Sequence, residues 1–280
     1  MTISISPKKA SLLLAAYIST CTPILLTGAP GVGKSSIVEA AAKAGGFDLI
    51  LSHPVVSDPT DAKGLPWPSK DGESAIFLPF GDLDQAIRAT KPTVWFLDDL
   101  GQASPMVQSS YMQLLLARRV NGHKLPDCVT FAAATNRRSD RAGVTGILEP
   151  VLSRFGSVVE IQVSVDDWTE WALGANMPAE LISFLRFRPE LLHVFDGAKR
   201  ANDMENFPCP RTWENVGKIL NMALPEDLEF VAMAGAVGEG AAIEFRAFLT
   251  MLRSSLPNPD MFFLMLRRPP RSTREPYAPL

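Results

Sequence analysis

The clearest chemical signature in the chain is a glycine-rich segment, Gly28-Ala-Pro-Gly-Val-Gly-Lys-Ser35, which matches the pattern G-x-x-x-x-G-K-[ST] in full. Its glycines allow the backbone to curl so that successive N–H groups point into one cavity, at the positive end of a following helix. Lys34 adds a point charge for β- and γ-phosphates, and Ser35 offers a hydroxyl to Mg²⁺. An accidental glycine turn is the alternative, but an apolar run before the segment and a helical pattern after it favour a phosphate-binding loop. The predicted binding residues are Gly28, Ala29, Pro30, Gly31, Val32, Gly33, Lys34, Ser35 and Ser36.

A second group of candidate residues follows the apolar run Val94-Trp-Phe-Leu97, which leads directly into Asp98-Asp99. Four apolar residues predict a buried strand, and ligands of open α/β sheets bind at the carboxyl ends of the strands. We expect Asp98 to bind Mg²⁺, mostly through water, and Asp99 to polarise an attacking water. A solvated turn would look the same, so the interpretation depends on the phosphate loop that precedes the pair.

The elements that must position these residues alternate between strand and helix patterns from residue 1 to residue 163. Such alternation predicts an α/β core with a parallel five-stranded sheet flanked by helices. The expected strands are Ile24–Thr27, Leu49–Ser52, Thr93–Leu97, Val129–Thr135 and Ser157–Val163. The expected helices of this part are Lys34–Ala44, Gly81–Ala89 and Pro105–Arg118.

The pattern changes from Asp166 onward, where helical periodicity continues without strands and predicts a small all-helical domain. We therefore divide the chain into a nucleotide-binding core (1–163), a helical lid domain (164–256) and a tail (257–280). The expected helices of the second domain are Asp166–Leu173, Ala179–Phe187, Arg211–Asn221, Glu226–Ala234 and Gly238–Leu252.

The tail has an unusual composition, because residues 267–280 contain four arginines and one glutamate. A disordered basic extension and an anchor for nucleic acid or a membrane surface are two interpretations. We favour a third: the segment Phe262–Arg274 resembles translated sequencing-adapter read-through. The tail is thus expected to be disordered or artefactual.

Composition narrows the class of protein. The chain has 280 residues, of which 46% are hydrophobic and 20% charged, with a formal net charge of −3, as in ordinary soluble globular proteins. The slight acidity argues against a general nucleic-acid binder, although a local basic groove stays open. Three widely spaced cysteines indicate reduced thiols, and we expect a cytoplasmic protein without membrane spans. The run Ser11–Ile18 after Lys8 and Lys9 imitates a signal peptide, but we expect a helix packed on the core.

Taken together, these motifs resemble those of the AAA+ ATPases, specifically the MoxR-like branch, over nearly all of residues 10 to 255. The stretch Phe96-Leu-Asp-Asp-Leu-Gly-Gln-Ala103 is similar to the acidic motif of that family. Most members have Asp-Glu where this chain has Asp98-Asp99. Because Asp99 is one methylene shorter, slow hydrolysis, or ATP binding used as a switch, is an open alternative.

Three further residues match motifs of the family. Asn136, at the end of Ala132-Ala-Ala-Thr-Asn136, resembles sensor 1 and would orient the attacking water; a strand-end turn residue is the alternative. Arg154, in Ile147-Leu-Glu-Pro-Val-Leu-Ser-Arg-Phe155, is the candidate arginine finger for a neighbouring subunit, with a structural ion pair as the alternative. Arg211, in Pro208-Cys-Pro-Arg-Thr-Trp213, resembles sensor 2 and would touch the γ-phosphate, unless it is a surface residue.

Two segments between the motifs carry further predictions, and only the second of them concerns a client. Asn121-Gly122, flanked by short β-like arms, predicts a two-residue hairpin just before the sensor-1 strand. The resemblance places a central-pore loop at Ser57–Trp67, where Leu65 or Trp67 could grip a client. Packing of Trp67 on its own loop is the alternative.

The resemblance implies a chaperone-like remodelling ATPase that uses ATP and Mg²⁺ and assembles as a homo-oligomeric ring, expected to be a hexamer. A protein client, with a partner that carries a metal-dependent adhesion-type domain, follows from the same resemblance, whereas nucleic acid is disfavoured. The alternatives are a DNA-associated motor or loader and a nucleotide-gated scaffold with little hydrolysis. A small-molecule kinase would share only the phosphate loop.

Overall fold

The computed structural model describes residues 4–140, 146–195 and 205–255, so the predicted tail (257–280) lies outside the described residues. Its strands are β1 (Ser4–Ile5), β2 (Ile24–Gly28), β3 (Asp48–Ser52), β4 (Leu65–Pro68), β5 (Ala75–Leu78), β6 (Thr93–Leu97), β7 (Arg119–Val120), β8 (His123–Lys124), β9 (Val129–Asn136) and β10 (Ser157–Ile161).

Helices surround these strands and fill the second half of the chain. They are α1 (Pro7–Ser19), α2 (Lys34–Gly45), α3 (Pro59–Lys63), α4 (Gly81–Ile87), α5 (Pro105–Ser110), α6 (Met112–Ala117), α7 (Glu149–Leu152), α8 (Val165–Gly174), α9 (Ala179–Phe187), α10 (Pro210–Leu220), α11 (Glu226–Val237) and α12 (Glu239–Ser255). Short 3₁₀ turns occupy Pro54–Val56, Leu100–Gln102, Arg138–Asp140 and Pro189–Leu192. We refer to α8–α12 as the helical region.

The central sheet is parallel and has the order β1-β10-β2-β9-β6-β3. All five predicted strands belong to it, which confirms the expected α/β class. A sixth strand, β1, was not predicted; it pairs with β10 at the edge and is only two residues long. So short a strand has no periodicity that a sequence pattern could reveal.

Both faces of the sheet are covered because alternate residues of each strand point to opposite sides. On β6, Trp95 and Leu97 pack with α4–α7, whereas Val94 and Phe96 pack with α1 and α2. The residues of α8–α12 form a separate apolar cluster around Trp213, in agreement with the expected all-helical C-terminal region.

Helix α1 is part of the core. Ala10, Leu14 and Ile18 recur at helical spacing and are buried, and the helix packs against α2, β9 and β10. The apolar run that imitates a signal peptide therefore packs on the domain, as expected. Among the described residues, no helix is long and apolar enough to cross a membrane.

The helix predicted over Pro105–Arg118 is instead two helices that meet at Tyr111. The hydroxyl of Ser109 donates to the Pro105 carbonyl at 2.8 Å, and that of Ser110 donates to the Val107 carbonyl at 2.6 Å. Serine hydroxyls that bond to preceding carbonyls compete with the helical ladder and often bend helices. The interruption is thus encoded by two adjacent serines.

The antiparallel hairpin formed by β4 and β5 was not predicted from the sequence. Pro66 and Pro68 argue against a strand, but a hairpin of two strands leaves its outer edges free of partners and can accept them. The predicted Asn121-Gly122 hairpin is present as β7–β8, with Val120 opposite His123.

The first helix also contacts the helical region. The backbone N–H of Lys8 donates to Asp167 at 2.7 Å, and its ammonium pairs with Glu170, also at 2.7 Å. The chain itself connects the two parts between β10 and α8. The start of α8 is therefore tied to the core both covalently and through α1.

The packing of α1 can be tested with a matched pair of leucines. Leu14 is fully buried, whereas Leu12 is 71% exposed on the same helix. We expect Leu14→Ala to lower the free energy of unfolding by about 2–5 kcal/mol, because it removes buried methyl groups and leaves a cavity. Leu12→Ala should change it by less than about 0.5 kcal/mol. Urea unfolding followed by circular dichroism measures both, and equal effects would contradict a packed α1.

Candidate active site

The phosphate loop connects β2 to α2 at the carboxyl edge of the sheet. Gly31 and Gly33 have φ values of +77° and +92°, a backbone region in which glycine is strongly favoured. Helix α2 begins at Lys34, so its N-terminal amides point toward the loop, and Ser36 lies exposed on its first turn. The geometry has the two features of an anion site, a curled glycine loop and a helix N-terminus.

Lys34 is the central charge of the site and is only 7% exposed. Its ammonium donates to the carbonyls of Gly28 and Ala29 at 3.0 Å each, and to Oδ1 of Asn136 at 2.7 Å. Gly28 and Asn136 are register partners at the ends of β2 and β9, which brings the predicted sensor residue to the lysine. Burial lowers the pKa of Lys34 to about 8, although the carboxylates of Asp99 and Asp98 oppose that shift.

A second polar pair lies on the other side of the loop. The hydroxyl of Ser35 donates to Oδ2 of Asp98 at 2.6 Å. The backbone N–H of Asp98 donates to the carbonyl of Ser52 at 2.9 Å, which anchors the end of β6 beside β3. Hydroxyl and carboxylate oxygens are the ligands that Mg²⁺ prefers, and Mg²⁺ usually keeps several waters. The pair therefore fits a magnesium ion.

Asp99 follows in a left-handed conformation with a φ of +55°. Burial, and next the neighbouring Asp98, raise the pKa of its carboxyl above the usual value, whereas Lys34, His53 and Arg211 oppose the rise. A carboxylate with a raised pKa accepts a proton more readily. His53 is not among the candidate residues predicted from the sequence; its position just after β3, the strand next to β6, was the signal that could have found it.

Arg211 lies in the first turn of α10, with its side chain exposed. Its positive charge lowers the pKa values of both Lys34 and Asp99, so it lies within electrostatic range of the loop. The helix start is well defined, because the Thr212 hydroxyl accepts from the Cys209 N–H at 2.9 Å. The structure thus brings Arg211 toward the site.

Arg154 is held apart from this group. Its Nε donates to the Met112 carbonyl at 3.0 Å, and Nη1 donates to the Pro150 carbonyl. These partners belong to α6 and α7 of the same chain. Among the described residues, the partners of this guanidinium are backbone carbonyls and not the carboxylate that a structural ion pair would require.

Sequence reasoning missed Arg137, which directly follows Asn136. Its guanidinium pairs with the buried Asp140 at 2.9 Å and with Glu160 of β10 at 2.9 Å. These ion pairs fix the backbone immediately after the sensor residue. The run Asn136-Arg-Arg-Ser-Asp140 contained the pair, but nothing in it revealed which arginine turns inward.

A cavity of about 430 Å³ adjoins the loop. Ala29 and Val32 of the loop line it together with Ile161 of β10, Val163 just after that strand and His193 between α9 and α10. The hydrogen-bonding groups of Arg137 and Glu160 also line it. Polar and apolar side chains therefore line this space beside the phosphate loop together.

The charge state of Lys34 makes anion binding pH-dependent. A bound polyphosphate favours the ammonium, so binding takes up a proton above pH 8, where the free amine begins to predominate. We expect the affinity for Mg–ADP to fall by up to about tenfold per pH unit between pH 8 and 9.5. Isothermal titration calorimetry measures this, with Lys34→Arg as the control, because arginine stays charged and should give a shallower slope. Equal slopes in the two proteins would contradict the assignment.

The chain is similar to known proteins in sequence and in structure. Midasin of Giardia intestinalis is 30% identical over 172 residues, which cover 58% of this chain. The match spans only 4% of midasin's own length. A mutant form of RuvB from Thermotoga maritima superposes with a TM-score of 0.50 at 17% identity, covering 92% of this chain and 73% of that one. A putative ATPase from Cytophaga hutchinsonii has a TM-score of 0.43 at 16% identity, with 91% of each chain covered.

The profile of the ATPase family associated with various cellular activities (AAA) matches residues 24–163. That range runs from the start of β2 to the residues just after β10, and it contains the phosphate loop, both aspartates and Asn136. The loop and the acidic strand end thus lie within the part of the chain that matches the family. The chain belongs to the AAA ATPases, which bind and hydrolyse ATP.

Proposed function

We propose that this chain is a MoxR-like AAA ATPase that hydrolyses ATP with Mg²⁺ at the interfaces of a ring, expected to be a hexamer, and thereby remodels a protein client. The observation that carries the proposal is the meeting of Lys34 with Asn136, and of Ser35 with Asp98, at one edge of the sheet. This arrangement supplies a cation, a cation-binding pair and a neutral amide around one anion cradle.

The roles of the residues follow from their chemistry. The loop amides and Lys34 bind the phosphates, and Ser35 with Asp98 would hold Mg²⁺, which neutralises charge on the phosphate oxygens. Asp99 accepts the proton of the attacking water while the water oxygen bonds to the γ-phosphorus and the bond to the ADP oxygen breaks. Asn136 orients that water through its amide. The raised pKa of Asp99 supports its role as the base.

Two arginines serve different subunits in this proposal. Arg211 reaches the γ-phosphate of its own chain, supported by its electrostatic influence on Lys34. Arg154 acts in the neighbouring subunit, where a guanidinium stabilises charge that develops in the transition state. Its anchoring by the carbonyls of Met112 and Pro150, away from the loop of its own chain, supports this assignment.

The β4–β5 hairpin is the candidate client-binding element. Its apolar side chains are exposed, with Trp67 at 60% exposure, which supports their availability to a client. Several exposed apolar side chains on one short element are typical of interaction sites, which supports this choice. The β7–β8 hairpin holds the β4–β5 hairpin in place through two hydrogen bonds. Asn121 donates to the Lys63 carbonyl at 2.9 Å, and His123 donates to the Phe77 carbonyl at 2.7 Å. A partner with a metal-dependent adhesion-type domain remains part of the proposal on the family resemblance.

The shared-site hypothesis is tested by mixing two inactive variants. Lys34→Ala removes the phosphate-binding cation and Arg154→Ala removes the residue supplied to the neighbour, and each should lower kcat by about 10³-fold or more. In a mixed ring, some interfaces join the intact loop of an Arg154→Ala subunit to the intact arginine of a Lys34→Ala subunit. The mixture should therefore recover part of the activity. Steady-state ATP turnover measured against protein concentration should also show the rate per subunit rising with assembly.

A matched control is Arg88→Ala, which removes an exposed arginine whose partner is Asp84 of the same helix. It should leave turnover within about twofold of the unmodified chain. If Arg154→Ala has full activity while Lys34→Ala is inactive, the proposal that a neighbouring subunit supplies Arg154 to the site is wrong.

Asp99 favours a second candidate function, a nucleotide-gated scaffold with little hydrolysis, because its carboxylate is one methylene shorter than the family's glutamate. For the ATPase we expect Asp99→Asn to lower kcat by about 10²–10⁴-fold, since it removes the base, while ADP affinity changes by less than about threefold. Asp99→Glu should remain within about tenfold of the parent. A nearly silent parent that gains more than a hundredfold in Asp99→Glu would support the scaffold instead.

A further inference from the structure

The helical region touches the phosphate loop directly at His193, which follows the 3₁₀ turn Pro189–Leu192. Its Nε2 lies 3.2 Å from the carbonyl oxygen of Pro30. A carbonyl only accepts, so the ring must carry its hydrogen on Nε2 and donate it. Burial lowers the pKa of His193, and the charges of Arg137 and Lys34 act in the same direction, whereas the hydrogen bond to Pro30 and the charge of Asp140 oppose the shift. The net lowering favours the neutral ring.

The ring is held in place by the helical region. Trp213 of α10 donates to the carbonyl of Leu191 at 2.8 Å, and the Val194 N–H donates to the carbonyl of Pro208 at 2.9 Å. The imidazole packs edge-on against Phe207, with 6.1 Å between ring centroids. His193 is therefore fixed to the start of α10, the helix that also carries Arg211.

The next loop residue makes a second contact with the same helix start. A Cβ added at Gly31 would collide with the sulfur of Cys209, and it would lie 4.0 Å from the ring of Phe207. The loop backbone thus approaches the helical region as closely as a glycine allows. Two consecutive loop residues, Pro30 and Gly31, face α10 and the segments that lead into it.

Three consecutive carbonyls of the loop have their donors in the structure. Lys34 donates to those of Gly28 and Ala29, and His193 donates to that of Pro30. When a phosphate competes for the Lys34 ammonium, the loop must rearrange beside the carbonyl that His193 holds. The hydrogen bond from His193 to the Pro30 carbonyl would transmit such a rearrangement to the helical region.

We propose that His193 is a positioning residue that couples the helical region to the phosphate loop, so that nucleotide occupancy and the placement of α10 change together. The coupling acts through the loop backbone and is separate from the contact expected between Arg211 and the γ-phosphate. It rests on the proposed nucleotide site, because the loop must bind phosphate for the coupling to report it.

Two substitutions separate the hydrogen bond from the packing. His193→Phe keeps an aromatic ring against Phe207 but has no donor, whereas His193→Gln replaces the donor at nearly the position of Nε2. We expect His193→Phe to speed the release of a fluorescent ADP analogue by about fivefold, as one hydrogen bond is lost. His193→Gln should stay within about twofold of the parent.

Amide hydrogen exchange with and without ADP distinguishes coupling from a general loss of stability, because only the coupling predicts a change in the ADP-dependent slowing. In the parent and in His193→Gln, ADP should slow the exchange of amides in residues 189–195 and 207–213; in His193→Phe this ADP-dependent slowing should be lost. Release rates and protection that are unchanged in His193→Phe, or altered equally in both variants, would overturn the coupling alone. A parent protein that binds no ADP would overturn the nucleotide site, and the coupling with it.

Discussion

A buried ammonium is the constraint on which the site depends. Removing a charge of this kind from water costs several kcal/mol, at an order of magnitude, unless acceptors replace the lost hydration. Lys34 finds them in two loop carbonyls and in the side chain of Asn136. The curvature of the loop and the position of the end of β9 are therefore fixed by the same cation, and an anion that arrives at the loop meets a donor set that is already assembled.

The sheet makes this assembly possible because its strands are short, parallel and in register. Gly28, Asp98 and Asn136 all stand at the carboxyl ends of neighbouring strands, and Leu97 pairs with Ala133 between β6 and β9. The side-chain period of a strand is two residues, so a shift of β9 by one position would turn Asn136 away from the lysine and expose apolar residues of the core. The same pairing that buries Phe96 and Ala132 thus sets the spacing of the polar groups.

Much of this was readable from the sequence where a strong local pattern coincided with a chemical motif. The loop from Gly28 to Ser35, the strand that ends at Asp98 and the Asn121-Gly122 hairpin each combine a backbone preference with a chemical requirement, and the structure has all three. The β4–β5 hairpin escaped prediction because prolines are unfavourable in strands with two neighbours, and only the fold reveals that these strands have one. The contributions of His53 and His193, and the ion pair of Arg137 with Glu160, depend on segments that are far apart in the chain, where a local sequence pattern gives no signal.

The attachment of Lys8 to α8 has a mechanical consequence. A body joined to another by a single stretch of chain can turn about many axes, whereas a body held at two separate points turns most easily about the line between them. The link from β10 to α8 is one such point, and the bonds from Lys8 to Asp167 and Glu170 are the other. If the hydrogen bond between His193 and Pro30 is released, the helical region can rotate mainly about this line, as about a hinge. Salt weakens the exposed ion pair between Lys8 and Glu170 and would therefore allow rotation about more axes.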